Sequence, residues 1–90
     1  MGTAMHMIYN SPNFCVVEFK AEQGPEPRRF AGGFEIMDKH TRREIFIDGE
    51  VAARFRADVQ ELIASEPSIE EVDEFLSQFQ VMMQHPMTLH

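Results

Sequence analysis

The feature that most constrains this chain is a change of hydrophobic period near residue 48. Before it, apolar residues alternate with a period of two, as in half-buried strands. After it, they recur every three or four residues, as on one side of a helix. Strands followed by helices specify an α+β domain rather than an alternating parallel sheet.

The first half holds four short β-type runs. Met5 to Tyr9 is rich in β-formers, and Asn10-Ser11-Pro12-Asn13 then marks a tight turn, since Pro presets its φ and Asn tolerates unusual backbone angles. Phe14 to Phe19 returns as a second strand, with Cys15, Val17 and Phe19 on one side and Phe14, Val16 and Glu18 on the other. Lys20 to Arg29 is polar and carries Pro25 and Pro27, neither of which can donate to a sheet ladder. Residues 20–32 are therefore expected to form a mobile loop, closed by Gly32-Gly33. Gly33–Asp38 and Arg43–Ile47 make a second hairpin, with Phe34 and Ile36 sharing one face, Ile45 and Ile47 likewise, and residues 38–42 as a polar tip.

The second half reads as two helices. Asp48 is the expected N-cap of the first, whose stripe is Val51, Phe55, Val59, Leu62 and Ile63. Ala53, Ala57 and Ala64 share another side and are read as good helix formers. Pro67 ends this helix. Ser68 and Glu71 have the spacing of a capping box for the next helix. Ile69, Val72, Phe75, Leu76, Phe79, Met82 and Met83 continue its stripe to a stop at Pro86. The short connection favours an antiparallel pair. The expected architecture is two consecutive β-hairpins forming an antiparallel sheet, followed by a C-terminal helical hairpin packed on one face. Residues 1–90 form a single domain, with 1–4 expected to be disordered and 86–90 a tail.

Composition narrows the function classes. At 90 residues the domain hides only roughly 60–65% of the surface its unfolded chain exposes, so a partner would help to cover it. The formal charge is −7. Residues 1–47 carry six basic and six acidic side chains, whereas residues 48–90 carry two basic and nine acidic. The acidic half repels nucleic acid and anionic lipid, so any anion-binding role falls to the first half. No apolar run is long enough for a membrane span, and the first residues lack a basic segment followed by an apolar run. Cys15 is the only cysteine, which rules out an intramolecular disulfide and suits a reducing compartment.

Three segments, Met7-Ile8-Tyr9-Asn10-Ser11-Pro12-Asn13, Gly33-Phe34-Glu35-Ile36-Met37-Asp38-Lys39 and Arg42-Arg43-Glu44-Ile45-Phe46-Ile47-Asp48-Gly49, together with Pro67 to Leu76, carry a resemblance. The chain resembles, from Met5 onward, a family of short betaproteobacterial proteins catalogued as a domain of unknown function. The resemblance implies a bacterial cytoplasmic protein and brings no catalytic or binding residues with it.

No catalytic constellation emerges. His6, His40, His85 and His90 are scattered and, with a single Cys, do not supply a structural zinc set. Cys15 sits among valines, as a core thiol rather than an activated nucleophile. The chain lacks G-x-S-x-G, P-loop and G-x-G-x-x-G patterns. Glu66, Glu70, Glu71, Asp73 and Glu74 cluster at a helix start, where carboxylates are favoured by its positive end, and read as a solvated face. No cofactor is expected.

Two surfaces remain as candidates. One helical stripe covers one sheet face, leaving Phe14, Val16, Met37 and Phe46 on the other. That face would serve a protein partner or a second copy, unless the sheet curls or the loop around Phe30 covers it. The expected function is a non-enzymatic protein–protein interaction or regulatory module. The alternative is an RNA- or anion-binding domain using the second hairpin tip, Lys39, His40, Arg42 and Arg43, with Arg28 and Arg29 near in sequence.

Overall fold

A computed structural model describes residues 3–21 and 32–83. The strands are β1 (Thr3–Asn10), β2 (Phe14–Ala21), β3 (Gly33–Asp38) and β4 (Arg43–Asp48). They are followed by α1 (Gly49–Ala64), α2 (Ile69–Ser77) and a single turn, α3 (Gln80–Met83). The strands lie in the order β1-β2-β3-β4, each antiparallel to its neighbour. The fold is thus α+β, a four-stranded meander with the helices on one side. The expectations for residues 1–2, for 22–31 of the loop and for the 86–90 tail lie outside the described residues. Lys20 and Ala21 continue β2 instead of opening the loop.

Register decides which side chains meet the helices. Val16 opposes Ile36, Phe34 opposes Ile47, and Ile36 opposes Ile45. Directly opposed residues share a face. Phe14 and Val16 therefore lie under the helices, at 4% and 2% exposure, and not on the outer face expected for them. Both sides of β2 are apolar, so its own alternation could not fix the phase. Cys15, Val17 and Phe19 face outward together with Glu35, Met37 and Phe46. In β1 the pairing shifts between Met7 and Tyr9, a bulge that puts Met5 and Met7 on the outer side and Tyr9 on the helix side.

The core centres on Phe55 of α1. Its ring lies 4.8 Å from Phe34, 5.4 Å from Phe79 and 5.9 Å from Phe75. Ile36, Ile47, Ala52, Leu76 and Met83 close around it. Burying each large apolar side chain contributes about 1.5–3 kcal/mol. At the rim, Arg56 stacks over the Phe34 ring at 5.0 Å and donates to Glu18 at 2.9 Å. The stripe of α1 is turned slightly from expectation. Ala52 is buried, whereas Val51 and Ile63 are exposed.

The helix ends show where local chemistry wins. Asp48 occupies the N-cap position in extended backbone, but its side chain makes no capping bond. The chain enters α1 instead through Gly49, whose φ of 62° disfavours any residue with a Cβ. Ahead of Pro67, Glu66 takes φ 54° and its N–H donates to the Ile63 carbonyl at 2.9 Å. The capping box forms as expected. Glu71 N donates to Ser68 Oγ at 3.1 Å, and Ser68 N to Glu71 Oε1 at 2.9 Å.

The last helix is not continuous. Ser77 Oγ donates to the Glu74 carbonyl at 2.7 Å and Gln78 Nε2 to the Phe75 carbonyl at 2.9 Å. Backbone bonds there tighten to three-residue steps, Phe79 to Leu76 and Met82 to Phe79. The break swings Phe79 and Met83 into the core and leaves Met82 exposed.

Candidate functional site

Among the described residues, the densest polar cluster lies where the first hairpin tip meets α2, with the second tip bonded beside it. The turn after β1 closes through the Ser11 N–H, which donates to the Phe14 carbonyl at 2.8 Å. Ser11 Oγ accepts from the N–H groups of Asn13 and Phe14 at 3.1 and 3.0 Å. Its own proton goes to Asp73 Oδ1, 2.9 Å away. Tyr9 also donates to Oδ1, at 2.8 Å, and Asn13 Nδ2 donates to Oδ2 at 2.7 Å. One carboxylate on α2 thereby holds three side chains from the end of β1 and the turn after it.

Electrostatics follow the bonds. Burial would raise the Asp73 pKa, but the bonds from Asn13, Tyr9 and Ser11 outweigh it and hold the group below its ordinary value. Burial, reinforced by the bond to the Asp73 carboxylate, pushes the Tyr9 phenol up. The second tip repeats the device. Asp38 is buried, and it accepts from the N–H groups of His40 and Thr41 at 2.9 and 3.3 Å and from Gln80 Nε2 at 2.7 Å. Here too burial acts upward and the hydrogen bonds prevail, so its pKa is lowered.

This cluster is built to hold rather than to react. Ser11 gives its proton to a carboxylate already bonded to two other donors, not to an imidazole. His40 Nε2 lies 2.6 Å from Asn13 Oδ1 and Lys39 Nζ donates to Asn10 Oδ1. Among the described residues, no group of three His, Cys, Asp or Glu could hold a metal ion.

The structure divides the expected basic tip. Lys39 and His40 are bonded to the first turn. Arg42 is exposed at φ 60°, and Arg43 is half-buried opposite Asp38. Arg28 and Arg29 lie outside the described residues. The expected apolar face is divided as well. Met37 and Phe46 are on the outer side, while Phe14 and Val16 are in the core.

The outer face has other apolar members. Met5 and Met7 are 64% and 60% exposed, and Val17, Phe19 and Met37 are half-buried. Phe46, 44% exposed, meets Phe19 edge-on with centroids 5.7 Å apart. It also overlies Gly33, where an added Cβ would lie 2.8 Å from the Phe46 ring and collide with the Ile47 carbonyl. Cys15 is buried on this side. Among the paired strand residues, the charged ones on this face are all acidic: Glu35, Glu44 and Asp48. Burial first, then the neighbouring Glu44 charge, pushes the Glu35 pKa up.

On the helix side, an apolar cavity of about 130 Å³ opens between the β1 bulge and the two long helices. Ile8, Tyr9, Val59, Leu62 and Val72 are among its walls. No described helix is long and apolar enough to cross a membrane.

Asp73 stands in the sequence among the carboxylates expected to form a solvated face. The available signal was its position between Ile69 and Leu76, four residues after one and three before the other, which places it at the margin of the apolar stripe.

The fold and its polar clasp define a small α+β meander domain. The chain belongs to the family described as Protein of unknown function (DUF3567), whose model matches residues 5–90. It is 59% identical over 86 residues to Protein BTH_I0359 of Burkholderia thailandensis, covering 96% of this chain and 100% of that protein. This places it in a betaproteobacterial family, in keeping with the resemblance. No solved structure matches.

Proposed function

We propose that the chain is a non-catalytic protein-interaction module whose docking surface is the outer face of the sheet. The observation that carries this reading is the pair of strand methionines, Met5 and Met7, more than half exposed beside Val17 and Phe19. A strand face of this kind normally packs against something, and methionine side chains adapt to a partner's contour. The hairpin tip supports anion binding less well, because Lys39 and His40 are bonded to Asn10 and Asn13.

The test compares wild type with Met37→Glu, which puts a charge on the outer face of a central strand. Circular dichroism checks that both fold. Wild type should recover one specific protein other than itself in a native pull-down. Met37→Glu should lose it. A wild type that recovers nothing would count against the reading.

A further inference from the structure

The two edges of the sheet differ in how they are guarded. β4 carries Arg43, Glu44 and Asp48, and α1 and α3 pack against it. Charged side chains along an edge deter a further strand. The other edge, β1, has no Lys, Arg, Asp, Glu or Pro from Thr3 to Asn10. Met5, His6, Met7 and Ile8 are exposed in succession, so no described helix fully covers this stretch. One flank of β1 bonds β2, and among the described residues no strand pairs with the other. The bulge after Met7 confines the usable edge to Thr3–Met7.

Charge placement selects the occupant. Two copies stacked face to face would set Glu35, Glu44 and Asp48 against like charges, in a chain already at −7. Two copies joined at β1 meet along an uncharged segment. Antiparallel pairing of a strand with itself is two-fold symmetric, so identical sequences satisfy it. We infer that β1 is the seam of a homodimer, in which Thr3–Met7 of two copies pair antiparallel and join two four-stranded sheets edge to edge. Met5 and Met7 of both copies then lie together at the centre of one widened outer face. The inference goes beyond the docking reading: it seats a second copy on the β1 edge and leaves the outer face to a separate protein partner.

The experiment combines sedimentation velocity of the full chain over a micromolar range with amide hydrogen exchange, for wild type, His6→Lys and Met37→Glu. His6 is exposed and opposes Glu18, so a lysine there is tolerated within one chain while adding like charges at the seam. The expected result is a dimer in which outward β1 amides gain protection with concentration. His6→Lys should raise its dissociation constant at least about tenfold, and Met37→Glu should leave it unchanged. A wild type that stays monomeric across the range overturns the inference while leaving the docking face available to a different protein. A dimer with unprotected β1 amides, insensitive to His6→Lys and dissolved by Met37→Glu, also overturns it, in favour of face-to-face stacking.

Discussion

The two faces of the sheet are made of similar residues and put to different use. On the helix side, Phe34, Ile36 and Ile47 are at most 4% exposed beneath Phe55 and Leu76, and the polar groups at its margin are bonded. On the outer side, Met5 and Met7 stand more than half exposed, and Glu35 is held beside Glu44. Hydrophobicity alone therefore does not determine which side becomes the core. Register and a few directional bonds do, and they leave the other side partly exposed.

The contrast can be broken most forcefully at Phe55. Phe55→Ala should cost about 3–5 kcal/mol in urea unfolding, because three aromatic neighbours lose their common contact. A cost below 1 kcal/mol would mean that the helix side is not the core.

Next comes the clasp. Asp73→Ala leaves three donors without their acceptor and should cost about 1.5–3 kcal/mol at neutral pH. Because the folded carboxylate sits below its ordinary value, its contribution is complete above about pH 4 and is lost as pH falls through the lowered value. The gap between wild type and Asp73→Ala should therefore narrow on acidification.

On the outer side the sign reverses. Glu35 has a raised pKa, so its charge opposes folding once pH rises through that value, and no such penalty exists in acid. Glu35→Gln should stabilise by roughly 0.5 kcal/mol at pH 7 and by nothing at pH 3, read from thermal unfolding at both. The smallest effect belongs to Met7→Ala, which in dilute sample should stay within about 0.5 kcal/mol of wild type. A cost comparable with that of Phe55→Ala would erase the distinction between the faces.

Much of this was readable from the chain. The switch of period, the prolines and the Ser68–Glu71 spacing act locally, and they placed the meander, the helices and the capping box. What sequence could not decide was non-local. The phase of β2 depends on which residue of β3 opposes Val16, and both of its sides are apolar. The bulge at Ile8 inverts the phase within β1, against a run that reads as continuous. The break after Ser77 comes from two side chains bonding carbonyls three residues back, within an unbroken apolar stripe. Of the candidate surface, Met37 and Phe46 lie on the outer side and Phe14 and Val16 in the core, for the same reason of phase. The role of Asp73 is not legible locally, because its partners lie some sixty residues away.

The strand order has a kinetic consequence. Every strand pairs with its neighbour along the chain, so the sheet can zip up through short-range closures. The clasp cannot, since it must wait for α2 to return across the whole sheet to the first turn. A late-closing contact of this kind governs how slowly the domain opens more than how quickly it assembles. Asp73 would then act as a latch, setting the lifetime of the folded chain.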